Sequence, residues 1–365
     1  MNTIDSKNYI YIEKIGYGKC AEIYKVKNII DNKFYALKFE KIIDTDIIDI
    51  NSRINREINF YNNFGNKYSL YFTKYYGCYY ENKTMLFEHE KLDININIDE
   101  YDDIIKNYIE KHKKSNIYIS KVYDLVDTTL DKIILKLDQK KIYSMILQLT
   151  NIIKLLHKNN YIHGDFHSGN IGVIYTKDKY VNINGIDIPT YGYIYKVIDL
   201  SFVLNKTNII NVYEQNIFDE VHYNEYLNLL NYLIDIPNVY NMSKNNMCKY
   251  WSCIQNKNNI LNIDKFYDEL YKNKKIKNIY DNKYINLYVY YLDSHYTYIN
   301  KTDIIYILDN IQNKNINYDN IILYFTNKIN KKDNKYINIL FIFTIIFLVI
   351  FYFTLRYRMK YRKRY

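Results

Sequence analysis

Residues 163–170 read HGDFHSGN and set His163, Asp165, His167 and Asn170 into one polar stretch between apolar residues. The same eight positions take two of the chain's 9 glycines. A carboxylate followed by an amide at this D-x-x-x-x-N spacing suits phosphoryl transfer, which needs placed charges around phosphates and Mg²⁺ rather than covalent work by the protein. In that chemistry Asp165 accepts or orients the proton of the attacking hydroxyl, and Asn170 offers a neutral amide oxygen to the metal. Asp199, in YKVIDLSF at the end of a later apolar strand, bridges the metal to the phosphates. A plain polar turn between a helix and a strand would look similar. The two differ in whether the rest of a phosphate site exists.

It does, near the N-terminus. KIGYGKCAEIYKVK holds Gly16 and Gly18 in a hairpin turn, where missing side chains let backbone amides approach phosphate. Further on, YALKFE supplies Lys38 for the α- and β-phosphates, and NREINFY supplies Glu57 as the acid that pairs with that lysine. A turn alone explains none of this order. His163 and His167 lack metal-ligand company and are expected to be scaffold.

The elements that position these residues follow from periodicity. Residues 9–39 read as three strands with a turn at Asp31-Asn32, and 52–63 as a helix opening on Ser52 with Ile54, Ile58 and Tyr61 on one face. Strand-like text recurs at 71–80, 84–90 and 117–125, with an acidic-then-basic insertion near 88–116. Residues 139–159 form the clearest helix, its stripe running Ile142, Met145, Ile146, Leu149, Ile152, Ile153 and Leu156 up to Asn159-Asn160. Strands follow at 171–175 and 191–200, and a mostly helical pattern from 217 to 327. Strands first and helices second imply an α+β fold with two lobes.

The order Gly turn, strand lysine, helix glutamate, H-x-D-x-x-x-x-N and strand aspartate resembles the protein kinase superfamily over roughly residues 9–300. The IPTYGY before Asp199 looks like kinases encoded by large DNA viruses. The resemblance implies a bilobal kinase-like fold, with an N-lobe at 9–125 that is mainly antiparallel sheet plus one helix and a mainly helical C-lobe at 126–327. It makes Lys38 the phosphate-binding lysine, Glu57 its partner, Asp165 the catalytic base, and Asn170 and Asp199 ligands of Mg²⁺ or Mn²⁺. It assigns Ile15, Gly16 and Gly18 to the nucleotide loop, Ile23 and Ala36 to the roof over adenine, and Asp124 and Val126 to backbone contacts at the hinge between lobes. A hinge at 86–93 is the alternative to 121–127. The implied activity is an ATP-dependent serine/threonine protein kinase. A phosphotransferase for a small molecule or lipid head group and a pseudokinase scaffold are the alternatives. Departures from the pattern are Ala21 for the third glycine, His167 for the usual lysine, Leu200-Ser201 after the metal-binding aspartate, and no A-P-E motif.

Composition adds the setting. The chain is rich in Ile, Asn, Lys and Tyr (46 Tyr) with 2 Pro, a bias that follows A/T-rich codons and suggests a large AT-rich virus or a parasite. Most of the net charge of +10 lies in KINKKDNK at 328–335 and RYRMKYRKRY at 356–365, so the body is near neutral and no nucleic-acid partner is expected. The 4 cysteines, Cys20, Cys78, Cys248 and Cys253, lack zinc-ligand spacing and read as reduced thiols of a cytosolic domain without a signal peptide. Residues 336–355, YINILFIFTIIFLVIFYFTL, carry no charge and are long enough to cross a bilayer of about 30 Å as one helix. A single-pass C-terminal anchor is expected, with the kinase body in the cytosol.

Overall fold

The computed structural model describes residues 4–17, 21–82, 110–111, 114–209, 218, 222, 225–226, 297–312 and 315–330. Gly18, the strand expected at 84–90 with the hinge alternative at 86–93, nearly all of the insertion, most of 210–296, and the apolar and basic segments from 336 onward lie outside these residues. Among the described residues no helix is long and apolar enough to cross a membrane.

Alternating side chains build the first sheet. Strands β1 (Tyr9–Tyr17), β2 (Ala21–Asn28), β3 (Phe34–Ile42), β4 (Tyr75–Asn82) and β5 (Ile117–Asp124) pair antiparallel in the order β1-β2-β3-β5-β4. One face carries Tyr24, Val26, Leu37, Phe39, Tyr118 and Val122, which pack into a small core of their own. By the period of two, Ile23, Ala36, Lys38, Glu40, Lys121 and Tyr123 lie on the other face. β3 is buried on both faces, so its polar residues at 38 and 40 sit where a solvated strand would never bury them.

Helix α1 (Asp44–Ile48) and helix α2 (Arg53–Asn63) follow β3. Ser52 caps α2 by accepting from the Asn55 N–H at 3.3 Å. The Asn55 side chain donates to the carbonyls of Asp46, Ile47 and Asp49, which pins the short connection between the helices. Ile54, Ile58, Phe60 and Tyr61 bury one side of α2, and Glu57 is buried with them.

β5 ends at Asp124 and leads through 125–127 into β6 (Thr128–Thr129) and helix α3 (Leu130–Ile133). The crossing between the sheet and the helical half therefore runs through 125–127. Helix α4 (Gln139–Lys158) is capped by Asp138, which accepts from the Lys141 N–H at 3.0 Å, and it ends where Asn160 turns left-handed at φ 59°. Its stripe from Ile142 to Leu156 is wholly buried. β7 (Tyr161–Ile162) then opens the polar loop, and β8 (Ile171–Tyr175) closes it.

The stretch between β8 and Asp199 is more ordered than its sequence suggests. β9 (Tyr180–Ile183) and β10 (Ile186–Pro189) form a hairpin around Asn184-Gly185, both at positive φ, the turn that an Asn-Gly pair favours. β11 (Tyr193–Val197) pairs with β8, and β12 (Leu204–Asn205) pairs with β7. Helix α5 (Lys301–Asp309), the β13 (Ile311–Gln312) and β14 (Asn315–Ile316) pair, and helix α6 (Tyr318–Asn330) complete the described chain. Buried Asp303 of α5 accepts from Tyr143 and Tyr324 and pairs at 2.7 Å with Lys328 in the last turn of α6.

Candidate active site

Lys38 is the centre of a buried charge cluster. Its Nζ lies 2.7 Å from Asp199 Oδ1, 3.3 Å from Glu57 Oε1 and 3.5 Å from Glu40 Oε1, and it also donates to the Ser201 hydroxyl. Burial works against its charge, but Asp199, Glu40 and Glu57 more than offset that and hold its pKa above the ordinary lysine range. Burial likewise disfavours the charge on Asp199, yet Lys38 and the Ser201 hydrogen bond keep its carboxyl well below the usual carboxylate range. Asp199 follows β11 and takes a left-handed φ of 54°, so the chain turns sharply where the carboxylate meets the lysine.

Three further residues of this cluster carry no motif. Glu40 lies one strand period beyond Lys38, is fully buried, and pairs with Lys121 and with Arg53 at 3.2 Å. Burial would lift its carboxyl, but Lys121, Lys38 and Arg53 bring it down to about 2. Lys121, also fully buried, pairs with Glu57 as well. The signal for both was the strand alternation itself, which places 38 and 40 of β3 and 121 of β5 on one face.

The polar loop brings Asp165 and Asn170 together. Asn170 Nδ2 donates to the Asp165 carbonyl at 2.9 Å and to Asp165 Oδ2 at 3.2 Å, which leaves the Asn170 amide oxygen as its acceptor for a further partner. Asp165 is buried, and its Oδ1 has no hydrogen-bond partner among the described residues. His167 Nε2 stands 3.5 Å from Asp165 Oδ2. His163 accepts from the Asp165 N–H at 3.1 Å and donates to the Ile198 carbonyl at 3.0 Å, a scaffolding role. The Ile198 N–H donates to the Asn170 carbonyl at 2.9 Å, so Asp199 starts its turn beside Asn170.

Glu225, which no motif pointed to, holds the loop from behind. Its Oε1 accepts from the N–H groups of His163 (2.8 Å) and Gly164 (3.0 Å), and its Oε2 meets His157 Nε2 at 2.9 Å. Burial pushes the Glu225 carboxyl up to about 7 against those donors, and burial drives His157 down to about 3. His157 Nδ1 in turn meets the Tyr318 hydroxyl at the start of α6, 2.5 Å away.

The remaining expected nucleotide contacts are placed unevenly. Ile23 pairs with Lys38 across β2 and β3, and Ala36 is two residues before it, so both share the lysine's face. Gly16 sits opposite Ile23, with Ile15 unpaired at a bulge beside it and exposed. The Asp124 N–H is committed to the Lys74 carbonyl at 2.9 Å, so that group is not open to a base. Val126 packs on Gly172, where an added Cβ would lie 2.6 Å from Val126 Cγ1.

A five-stranded antiparallel sheet with its helices, followed by a helical half, is an α+β arrangement compatible with a kinase-like fold. No protein-family model matches the chain. No curated protein matches it either. Among solved structures, the crystal structure of a kinase domain from Plasmodium is similar at 15% identity and a TM-score of 0.35. That likeness covers 56% of this chain, which spans about half (54%) of the Plasmodium one.

Proposed function

We propose that the chain is an ATP-dependent phosphotransferase that passes the γ-phosphate to a serine or threonine hydroxyl of a protein. The observation that carries this reading is Lys38, buried between Glu57 of α2 and Asp199 after β11. Burying several charges together is a poor route to stability, since well-packed apolar residues do as well or better. A cluster that joins the sheet, α2 and the Asp199 turn is better explained by a polyanionic ligand.

Asp199 and Asn170 are two oxygen donors at neighbouring positions, which fits Mg²⁺ or Mn²⁺, because Mg²⁺ keeps waters and takes phosphate oxygens as its other ligands. Among the described residues no group of three or more His, Cys, Asp or Glu could hold a metal unaided. The metal, bound with ATP, neutralises charge on the phosphates. Lys38 orients those phosphates, and Glu57 keeps Lys38 in place. Asp165 Oδ1, buried and unpartnered among the described residues, receives the proton of the incoming hydroxyl. Residues 336–355 anchor the enzyme in a bilayer with its body on the ATP-rich side.

The test uses the full chain in mild detergent with γ-labelled Mg·ATP and either generic proteins or small hydroxyl acceptors. Label should enter protein Ser/Thr. Asp165→Asn should lower turnover by about 10²–10⁴-fold while Mg·ATP still raises the melting temperature. Asp199→Asn should abolish that thermal shift. The opposite pattern in the two variants would reverse their roles, and no transfer at all would leave a scaffold. His167 beside Asp165, in place of a lysine, favours a second reading, a small-molecule acceptor. Label on the small acceptor alone would establish it.

A further inference from the structure

Two lysines share the one acidic helix residue, and they do so unequally. The register pairs Lys38 of β3 directly with Lys121 of β5, so both ammonium groups reach the same side of the sheet. Glu57 lies 3.3 and 3.4 Å from Lys38 Nζ, whereas Lys121 contacts it more closely through Oε2. Tyr123, also on β5, donates its hydroxyl to Glu57 Oε1 at 3.0 Å. Lys38 in turn sits nearer to Asp199 and Ser201 than to Glu57. The firm tether of α2 to the sheet is therefore β5, not the lysine expected to bind phosphate.

We propose that Lys121 is a positioning residue that anchors Glu57 and helix α2, and so releases Lys38 to serve the phosphates. The proposal rests on the phosphotransferase reading above. With a single lysine, drawing Lys38 toward a nucleotide would leave buried Glu57 short of its counter-charge, a strongly destabilising state. With Lys121 present, Glu57 stays compensated whichever way Lys38 leans. Glu40 completes the arrangement. It is the second acid on Lys121, and Arg53 shares it, so Lys38, Lys121 and Arg53 balance Glu40, Glu57 and Asp199. Removing Lys121 leaves an excess negative charge that pulls Lys38 back to Glu40 and Glu57.

The experiment compares Lys121→Met, Lys121→Arg and Lys38→Met in the full chain by amide hydrogen exchange and by ATP kinetics. In Lys121→Met the α2 amides should exchange at least about tenfold faster, whereas Lys38→Met should leave them protected. The KM for ATP should rise about tenfold in Lys121→Met and return toward wild type when Glu40→Gln is added, because the competing acid is gone. Lys121→Arg, which keeps the cation, should stay near wild type in both measurements. A purely structural lysine would lower stability on removal and leave the KM for ATP unchanged. If Lys121→Met alone does not fold, the Lys121→Met/Glu40→Gln pair is measured against Glu40→Gln, with faster α2 exchange again expected. Unchanged α2 exchange on losing Lys121, or an equal rise in Lys38→Met, would overturn the proposal. A wild-type protein that transfers no phosphate would instead defeat the phosphotransferase reading, and the exchange data would still report on Lys121.

Discussion

Gly164 offers a quantitative check on the loop geometry, because the chain holds its own control. Gly164 and Gly185 share φ +81°, a left-handed conformation, but differ in surroundings. A Cβ on Gly164 would lie 2.2 Å from the Phe202 carbonyl oxygen and 3.0 Å from Phe202 C and Cβ, whereas one on Gly185 meets nothing within 4 Å. Gly185→Ala therefore carries only the backbone term, about 1–2 kcal/mol. Gly164→Ala carries the same term and must also move the loop away from a backbone carbonyl. Moving it strains the hydrogen bonds from the His163 and Gly164 N–H groups to Glu225, and leaving one buried group unpaired costs about 1–3 kcal/mol. The expected total for Gly164→Ala is about 2–5 kcal/mol, a large share of a domain's usual stability of about 5–15 kcal/mol. Urea unfolding of both variants measures the two losses, and phosphate transfer follows the loop. A Gly164→Ala loss no greater than that of Gly185→Ala, with full activity, would refute the placement of Phe202 against the 163–170 loop.

Other outcomes follow from the same geometry. Glu225 is raised from 4.5 to about 7 by burial, so the stability it contributes is complete below pH 4.5 and is lost as pH rises to about 7, a change of about 3 kcal/mol. Glu225→Gln should remove that slope, read as the wild-type-minus-variant difference in urea midpoints between about pH 4.5 and 7. Gly172→Ala should cost about 1–3 kcal/mol by crowding Val126, and a Val126→Ala change on top should recover part of it in thermal melts. A chain ended after residue 327 loses Lys328 from Asp303 and should melt below one ended after 335, by about 1.5–3 kcal/mol in stability. In protease digestion of intact membranes, the full chain should lose its body from the cytosolic face, and the chain ended after 335 should leave the membrane fraction.

The parts of the site legible in the sequence were those whose chemistry is local. Asp165 and Asn170 share one loop, and Gly16, Lys38 and Glu57 follow one another at intervals set by a hairpin, a strand and a helix. Lys121, Glu40 and Glu225 were not legible in this way. Each earns its place through a partner distant in sequence, and only the strand register or the loop's position reveals it. The alternation of β3 and β5 did carry a hint, since a lysine amid the apolar residues of IYISKVYD needs a buried counter-charge. The hairpin at 180–189 has strands too short to show an alternation, although Asn184-Gly185 is a strong turn signal. The strand expected from residue 71 begins at Tyr75, because Phe72 is drawn away into a bridge with Val197.

The balanced cluster around Lys38 also constrains how this protein can diverge. Three cations and three carboxylates compensate one another, four of them buried, so a change at one position is tolerated chiefly when another of opposite sign changes with it. On the proposed function Lys38 and Asp199 have no such freedom, which leaves Glu40 with Lys121, and Glu40 with Arg53, as the pairs able to drift. Among descendants of a common ancestor those positions should therefore be inherited as couples, with an apolar residue at 121 accompanied by a neutral one at 40.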